Sequence, residues 1–399
     1  MTYRQLHGHV EPDFAEVAAT LAGFLRRRPG GAAACVYHRG RCVVDIWGGQ
    51  RSPDGTLWEQ DTVAPSFSTT KGVMSTLVHI LAEQGRLDYE APVARYWPAF
   101  AQGGKGDILV RHVLCHEAGL YRLGDMVREP REMLDWPHML DVVAGAEPVH
   151  APGDACGYHA LTYGWLTGGL IEAVTNRPLA QVLRDELVQP LGLDGAFIGL
   201  DEANLSRRAL LFSGVTRAPL RSDTEDMRAK LLRLFRAGLG FVGVDLHEFQ
   251  AALMPFDAPF DWNDEATVRA CIPAANGQFT ARSLARIYAM IAGGGQLERH
   301  RLLSPARVAE MGVVRNRARD NVLFIPMHWR LGFHRVFTLG LRVPQAFGHF
   351  GYGGSGAFCD PSRELAVALT VNSGTGTPSG DSRMPRIATA ALRAVDRLG

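Results

Sequence analysis

The chain has 399 residues, 46% of them hydrophobic, which is enough to bury a large core and long enough for two or three folding units. Its 42 Lys and Arg nearly cancel its 41 Asp and Glu, so no net field draws it to nucleic acid or to an anionic membrane. The first twenty residues lack a basic stretch leading into an apolar one, and no segment approaches a membrane span, so the expectation is a cytoplasmic globular enzyme.

From Val10 to Arg28, Phe14, Val17, Leu21 and Leu25 recur at helical spacing until Pro29-Gly30-Gly31 stops them. Ala33 to His38 and Cys42 to Trp47 then read as a hairpin across Arg39-Gly40-Arg41. Val73, Leu77, Ile80 and Leu81 predict a buried helix over 70–84, ended by Gly85. A helix-rich middle follows to about Pro255, with helices expected over 161–174, 180–187 and 228–237. Strands return at Trp329 to Val336, Gly356 to Cys359 and Leu365 to Val371, and Arg386 to Leu398 closes the chain as an amphipathic helix. The ends therefore share one α/β (α+β) domain, an antiparallel sheet flanked by helices, over 1–69 and 270–399. A mainly helical domain over 70–269 is inserted between them, and the active site is expected in the cleft.

Cys35, Cys42, Cys115, Cys156, Cys271 and Cys359 form no C-x-x-C pair and no zinc-type spacing. Reduced core thiols are expected, with a Cys35 to Cys42 bridge across the hairpin as the alternative. His112 and His116 flank Cys115 but lack an H-E-x-x-H frame, so they read as core or supporting histidines, and no metal is expected. Gly238-Leu239-Gly240-Phe241-Val242-Gly243 matches a dinucleotide pattern but follows an Arg-rich helical segment where a strand is needed, so no cofactor is expected either. Arg228, Lys230, Arg233 and Arg236 interleave with apolar residues and read as a solvated helix face that could cover the site mouth.

The chemistry-bearing pattern is Pro65-Ser66-Phe67-Ser68-Thr69-Thr70-Lys71-Gly72, an S-x-x-K at the start of the helix over 70–84. Residues three apart share a helix face, so the Lys71 amine reaches the Ser68 hydroxyl. A helix N-terminus favours a developing oxyanion, and burial lowers a lysine pKa toward useful base strength. Such spacing is common by chance, so two further segments carry weight. Pro152-Gly153-Asp154-Ala155-Cys156-Gly157-Tyr158-His159-Ala160 puts a tyrosine just before an apolar helix. Gly348-His349-Phe350-Gly351-Tyr352-Gly353-Gly354-Ser355-Gly356 lets backbone approach a bound group closely. No G-x-S-x-G occurs, so Ser355 reads as a loop residue and an α/β-hydrolase elbow is unsupported.

With the three segments in this order, the chain resembles the serine β-lactamase and penicillin-recognition superfamily, and within it the class VIII carboxylesterases, esterases on the class C β-lactamase fold. The likeness spans nearly the whole chain and includes the blocks Arg111 to Leu120 and Thr280 to Arg286. It implies a β-lactamase/transpeptidase-like fold, Ser68 as acylated nucleophile, Lys71 as proton acceptor and Tyr158 as base or relay. His349, Phe350 and Gly351 stand where lactamases have K-T-G, and the backbone N–H groups of Ser68 and Tyr352 are the expected oxyanion donors.

His349 is mostly neutral near pH 7, Phe350 has no hydroxyl, and Ala160 stands where an acylamino-binding asparagine belongs, so a carboxylate anchor is weakened. The expectation is a serine carboxylesterase acting on short to medium acyl esters, a small-molecule partner, with no membrane span and the oligomeric state open. The alternatives are a β-lactamase, D-peptide or amide hydrolase or acyltransferase, and a catalytically silent binding module on the same fold. His159 either lines the pocket or serves the scaffold, whereas Tyr163 and Trp165 read as core.

Overall fold

The computed structural model describes residues 6–212, 246–253, 260–374 and 381–399. The helix expected over 228–237, its basic run and the G-x-G-x-x-G at 238–243 lie outside the described residues.

The strands are β1 (His7–Val10), β2 (Gly31–His38), β3 (Arg41–Gly49), β4 (Ala64–Pro65), β5 (Ala196–Phe197), β6 (Gln278–Phe279), β7 (Gln296–Leu297), β8 (His300–Arg301), β9 (His334–Arg335), β10 (Phe347–Phe350), β11 (Gly356–Asp360) and β12 (Leu365–Val371). Seven of them form one antiparallel sheet in the order β1-β3-β2-β12-β11-β10-β9, so β2 from one end of the chain pairs with β12 from the other, Val36 opposite Val367. The β2–β3 turn needs two residues at positive φ, supplied by Arg39 at 50° and Gly40 at 73°.

Side chains alternate across this sheet, so each face has its own core. Ala34, Val36, Val367 and Leu369 pack under the helices Ala15–Leu25 and Arg383–Leu398. Cys35, Tyr37, Ala366 and Ala368 face the other way, against the helices Thr69–Glu83 and Ala281–Ala292. This second core continues into the helices between residues 110 and 191 and places the start of Thr69–Glu83 beside the end of β10. No helix among the described residues is long and apolar enough to cross a membrane.

Several element boundaries differ from expectation. Val10 ends a strand paired with Val44, and the first helix begins only at Ala15 after the turn Pro12–Phe14. The strand expected from Trp329 to Val336 shortens to His334–Arg335. Gly332 interrupts it with φ 83°, where a Cβ would lie 2.1 Å from Ser75 Oγ. The helix expected over 180–187 is Leu179–Leu183 followed by a wide π turn at Arg184–Val188. The closing helix starts three residues early, at Arg383. Ala281–Ala292, unassigned from the pattern, is a helix capped by Thr280, whose side chain accepts the Ser283 N–H. The six cysteines are free thiols, with Cys35 Sγ and Cys42 Sγ 3.8 Å apart.

Candidate active site

Ser68 occupies the cap position of Thr69–Glu83, and the residue before it, Phe67, is held at φ 44°. A bulky side chain in the left-handed region is strained, and such strain persists only where the surroundings enforce it. Here the Phe67 ring is wedged edge-on against Trp262 at 5.4 Å and Tyr352 at 5.5 Å. The forced turn delivers Ser68 at the N-terminus of a helix whose residues 69–82 are all buried.

One turn on, Lys71 is fully buried, with Nζ 3.0 Å from Ser68 Oγ. Its other contacts are carbonyl oxygens, Ala160 O at 2.6 Å and Ala274 O at 3.0 Å. Burial pushes the amine well below its ordinary 10.5. A neutral amine has two hydrogens, and donating both to the carbonyls turns its lone pair toward the serine hydroxyl. That geometry can accept a proton from Ser68.

Tyr158 is buried, lines the same cavity as Ser68, and has its ring centroid 4.9 Å from Lys71 Nζ. Burial raises its phenol above the ordinary 10.0, so the hydroxyl keeps its proton at neutral pH. Its ring stacks on Trp329 at 5.7 Å with a 7° interplanar angle. The backbone N–H of Tyr158 donates to Asp320 Oδ1 at 3.1 Å.

The histidines around these groups are structural. His159 Nδ1–H donates to Gly157 O at 2.8 Å, while Nε2 accepts the Leu120 N–H at 3.0 Å, which assigns it to the scaffold. His116 accepts the His159 N–H at 3.1 Å and packs its ring 4.2 Å from Trp329. His112 Nδ1 accepts the Leu109 N–H and caps the short helix Val110–Leu114. No cluster of His, Cys, Asp or Glu among the described residues could hold a metal ion.

At the end of β10, His349 is 1% exposed and its Nδ1–H donates to Phe350 O at 3.2 Å. Burial pushes it well below its ordinary 6.5, so it is neutral. The Phe350 N–H donates to His334 Nε2 at 3.0 Å. Gly351 follows, so close to the turn before Ser68 that a Cβ would sit 2.3 Å from Ser66 O. This contact sets Tyr352 beside the start of the helix. The turn is held from behind by Arg383, which donates to Gly353 O at 2.6 Å and pairs with Asp381.

Ser68, Tyr158, His349, Phe350, Gly351 and Tyr352 line one cavity of about 680 Å³. Its remaining wall is largely apolar and includes Leu323, Ile325, Met327, Phe337 and Met384. The structure thus brings Ser68, Lys71, Tyr158, His349, Phe350, Gly351 and Tyr352 together. Asp320, Trp329, His334 and Arg383 had no local signal, because their contacts with Tyr158, Phe350 and Gly353 cross 16 to 171 residues of chain.

The beta-lactamase family profile matches residues 17–392. The esterase/beta-lactamase LipL of Mycobacterium tuberculosis is 37% identical over 374 residues, covering 92% of this chain and 83% of that protein. A family VIII carboxylesterase crystal structure superposes with TM-score 0.84 at 31% identity, covering 98% of this chain and 100% of that one. A penicillin-binding protein homologue from Caulobacter crescentus gives TM-score 0.84 at 32% identity, covering 98% and 99%. Sheet order, helical layers and these near full-length likenesses agree: the chain belongs to the beta-lactamase family of hydrolases.

Proposed function

We propose that the chain is a serine carboxylesterase that cleaves short to medium acyl esters through an acyl-enzyme on Ser68. The observation that carries this reading is the buried Lys71 amine, 3.0 Å from Ser68 Oγ with two carbonyls as its other partners. In the reaction, Lys71 takes the Ser68 proton as Oγ bonds to the ester carbonyl carbon. The carbonyl π electrons move onto oxygen, which the backbone N–H groups of Ser68 and Tyr352 stabilise, each donor being worth a few kcal/mol. Collapse breaks the C–O bond. The leaving alkoxide takes the Tyr158 proton, which the Lys71 ammonium replaces. Water then attacks the acyl-enzyme by the same relay in reverse. Lys71 is the base in this scheme and Tyr158 the donor, because burial lowers the amine pKa but raises the phenol pKa.

The ester preference rests on charge. His349 is neutral, and Arg383, which donates to Gly353 O in the Gly351–Ser355 turn, is also engaged by Asp381 and Ser373. Neither offers a free charge to a substrate carboxylate, while the wall is apolar. The family VIII carboxylesterase bears an esterase name, in keeping with this, and LipL bears both an esterase and a beta-lactamase name. We assign the site to the cleft between a discontinuous α/β domain, 1–69 with 270–399, and the helical segment between them. The test is p-nitrophenyl butyrate hydrolysis by wild type and Ser68→Ala, with nitrocefin alongside. The variant should lose turnover and fluorophosphonate labelling; an S68A protein that still hydrolyses the ester would overturn the assignment.

A further inference from the structure

Resting on the reading of Tyr158 as proton donor, we infer that Asp320 is a positioning residue for it, acting through both its backbone and its ring. Asp320 is fully buried and lies 162 residues away in sequence. Oδ1 accepts three backbone N–H groups, Tyr158 at 3.1 Å, Val322 at 2.9 Å and Leu323 at 2.9 Å. Oδ2 accepts the Trp329 indole N–H at 3.0 Å. Trp329 is itself fully buried, and it is the ring stacked parallel on Tyr158. The two ends of one carboxylate therefore hold the main chain of Tyr158 and the plane on which its phenol rests. A second tie, Asn321 N–H to Cys156 O at 2.9 Å, fastens the same loop to the same segment.

Among the described residues no cation pairs with Asp320, and four N–H donors satisfy the carboxylate instead. Charge-assisted bonds of this kind are short and directional, and a carboxylate so surrounded has one orientation. Its planar fork transmits that orientation to the indole, and the indole to the phenol. The Tyr158 hydroxyl is thereby aimed at Ser68 before substrate arrives, so that no rotamer search intervenes at the moment of proton transfer.

The test is a double-mutant cycle on the full chain with p-nitrophenyl butyrate. Asp320→Asn keeps an oxygen for the backbone donors but sets an amide N–H against the indole N–H, releasing the ring. We expect kcat to fall by about 10-fold or more with KM little changed, as for loss of transition-state alignment. In the Tyr158→Phe background, where no hydroxyl remains to be aimed, D320N should change kcat by less than about 2-fold. Equal losses in both backgrounds would make Asp320 a general fold residue and overturn the inference, as would an undiminished kcat in D320N alone. Full activity in Y158F alone would instead remove the reading of Tyr158. Should D320N fail to fold, Trp329→Phe carries the same cycle: it removes the indole N–H that Asp320 holds and shrinks the ring stacked on Tyr158, so its kcat loss should likewise fall below about 2-fold in the Tyr158→Phe background, and an equal loss in both backgrounds would overturn the inference.

Discussion

Lowering the pH from about 7.5 to about 5 should destabilise this protein steeply through histidines that folding keeps neutral. His79, His159 and His334 are all buried, and desolvation lowers their pKa values from 6.5 to about 3, about 3 and about 4. Between 6.5 and those values the unfolded chain holds protons that the folded chain does not. Stability is therefore full above 6.5 and falls as the pH drops through that window. At pH 5 each group contributes a loss of about 2 kcal/mol, about 6 kcal/mol for the three. That is a large fraction of the 5–15 kcal/mol typical of a folded domain. Buried Glu117 and Asp320 have raised pKa values and act with the opposite sign, gaining stability as they protonate, which offsets part of the loss. The assay is urea unfolding followed by tryptophan fluorescence at both pH values. His79→Gln isolates one term: the His79 Nε2–H donates to Leu331 O at 2.9 Å and Nδ1 accepts from the Tyr89 hydroxyl at 2.6 Å, and glutamine can do both. H79Q should narrow the pH-dependent loss by about 2 kcal/mol. A wild-type loss below about 1 kcal/mol, or an H79Q protein with the wild-type slope, would refute the reasoning.

Three further outcomes bear on the site. The kcat/KM of ester hydrolysis should rise with pH through the lowered Lys71 pKa, since the neutral amine is the active form. Lys71→Met should abolish that limb with the activity, and leaves Ala160 O and Ala274 O without their donor at a cost of about 1–3 kcal/mol each in thermal unfolding. Tyr158→Phe should fold normally and lose orders of magnitude in turnover; near-normal hydrolysis would mean that the proton reaches the leaving group by another route. Gly351→Ala would press a methyl against Ser66 O, 2.3 Å from the ideal Cβ. Relieving that overlap moves Tyr352 from the start of the helix, so kcat should drop by about 100-fold with about 1–3 kcal/mol lost in stability. A G351A enzyme with intact kcat would exclude Tyr352 as an oxyanion donor.

Local information alone determined much of this molecule. The S-x-x-K pair is legible because its three-residue spacing is also the spacing of one helix face, and 3.0 Å between Lys71 Nζ and Ser68 Oγ follows directly. The strand at Leu365–Val371 and the hairpin across Arg39-Gly40 are legible because side-chain period and turn chemistry are properties of adjacent residues. Tertiary structure decided the rest. That Lys71 is desolvated depends on carbonyls 89 and 203 residues away. Whether His159 faced the pocket was open until Leu120 and Gly157 claimed both its nitrogens. Trp329 reads as a strand residue by composition, yet its indole is committed to Asp320 and to the Tyr158 ring. The Leu120 contact of His159, the Ala160 and Ala274 contacts of Lys71 and the Tyr158 contact of Asp320 span 39 to 203 residues, so no window of neighbouring residues can encode them.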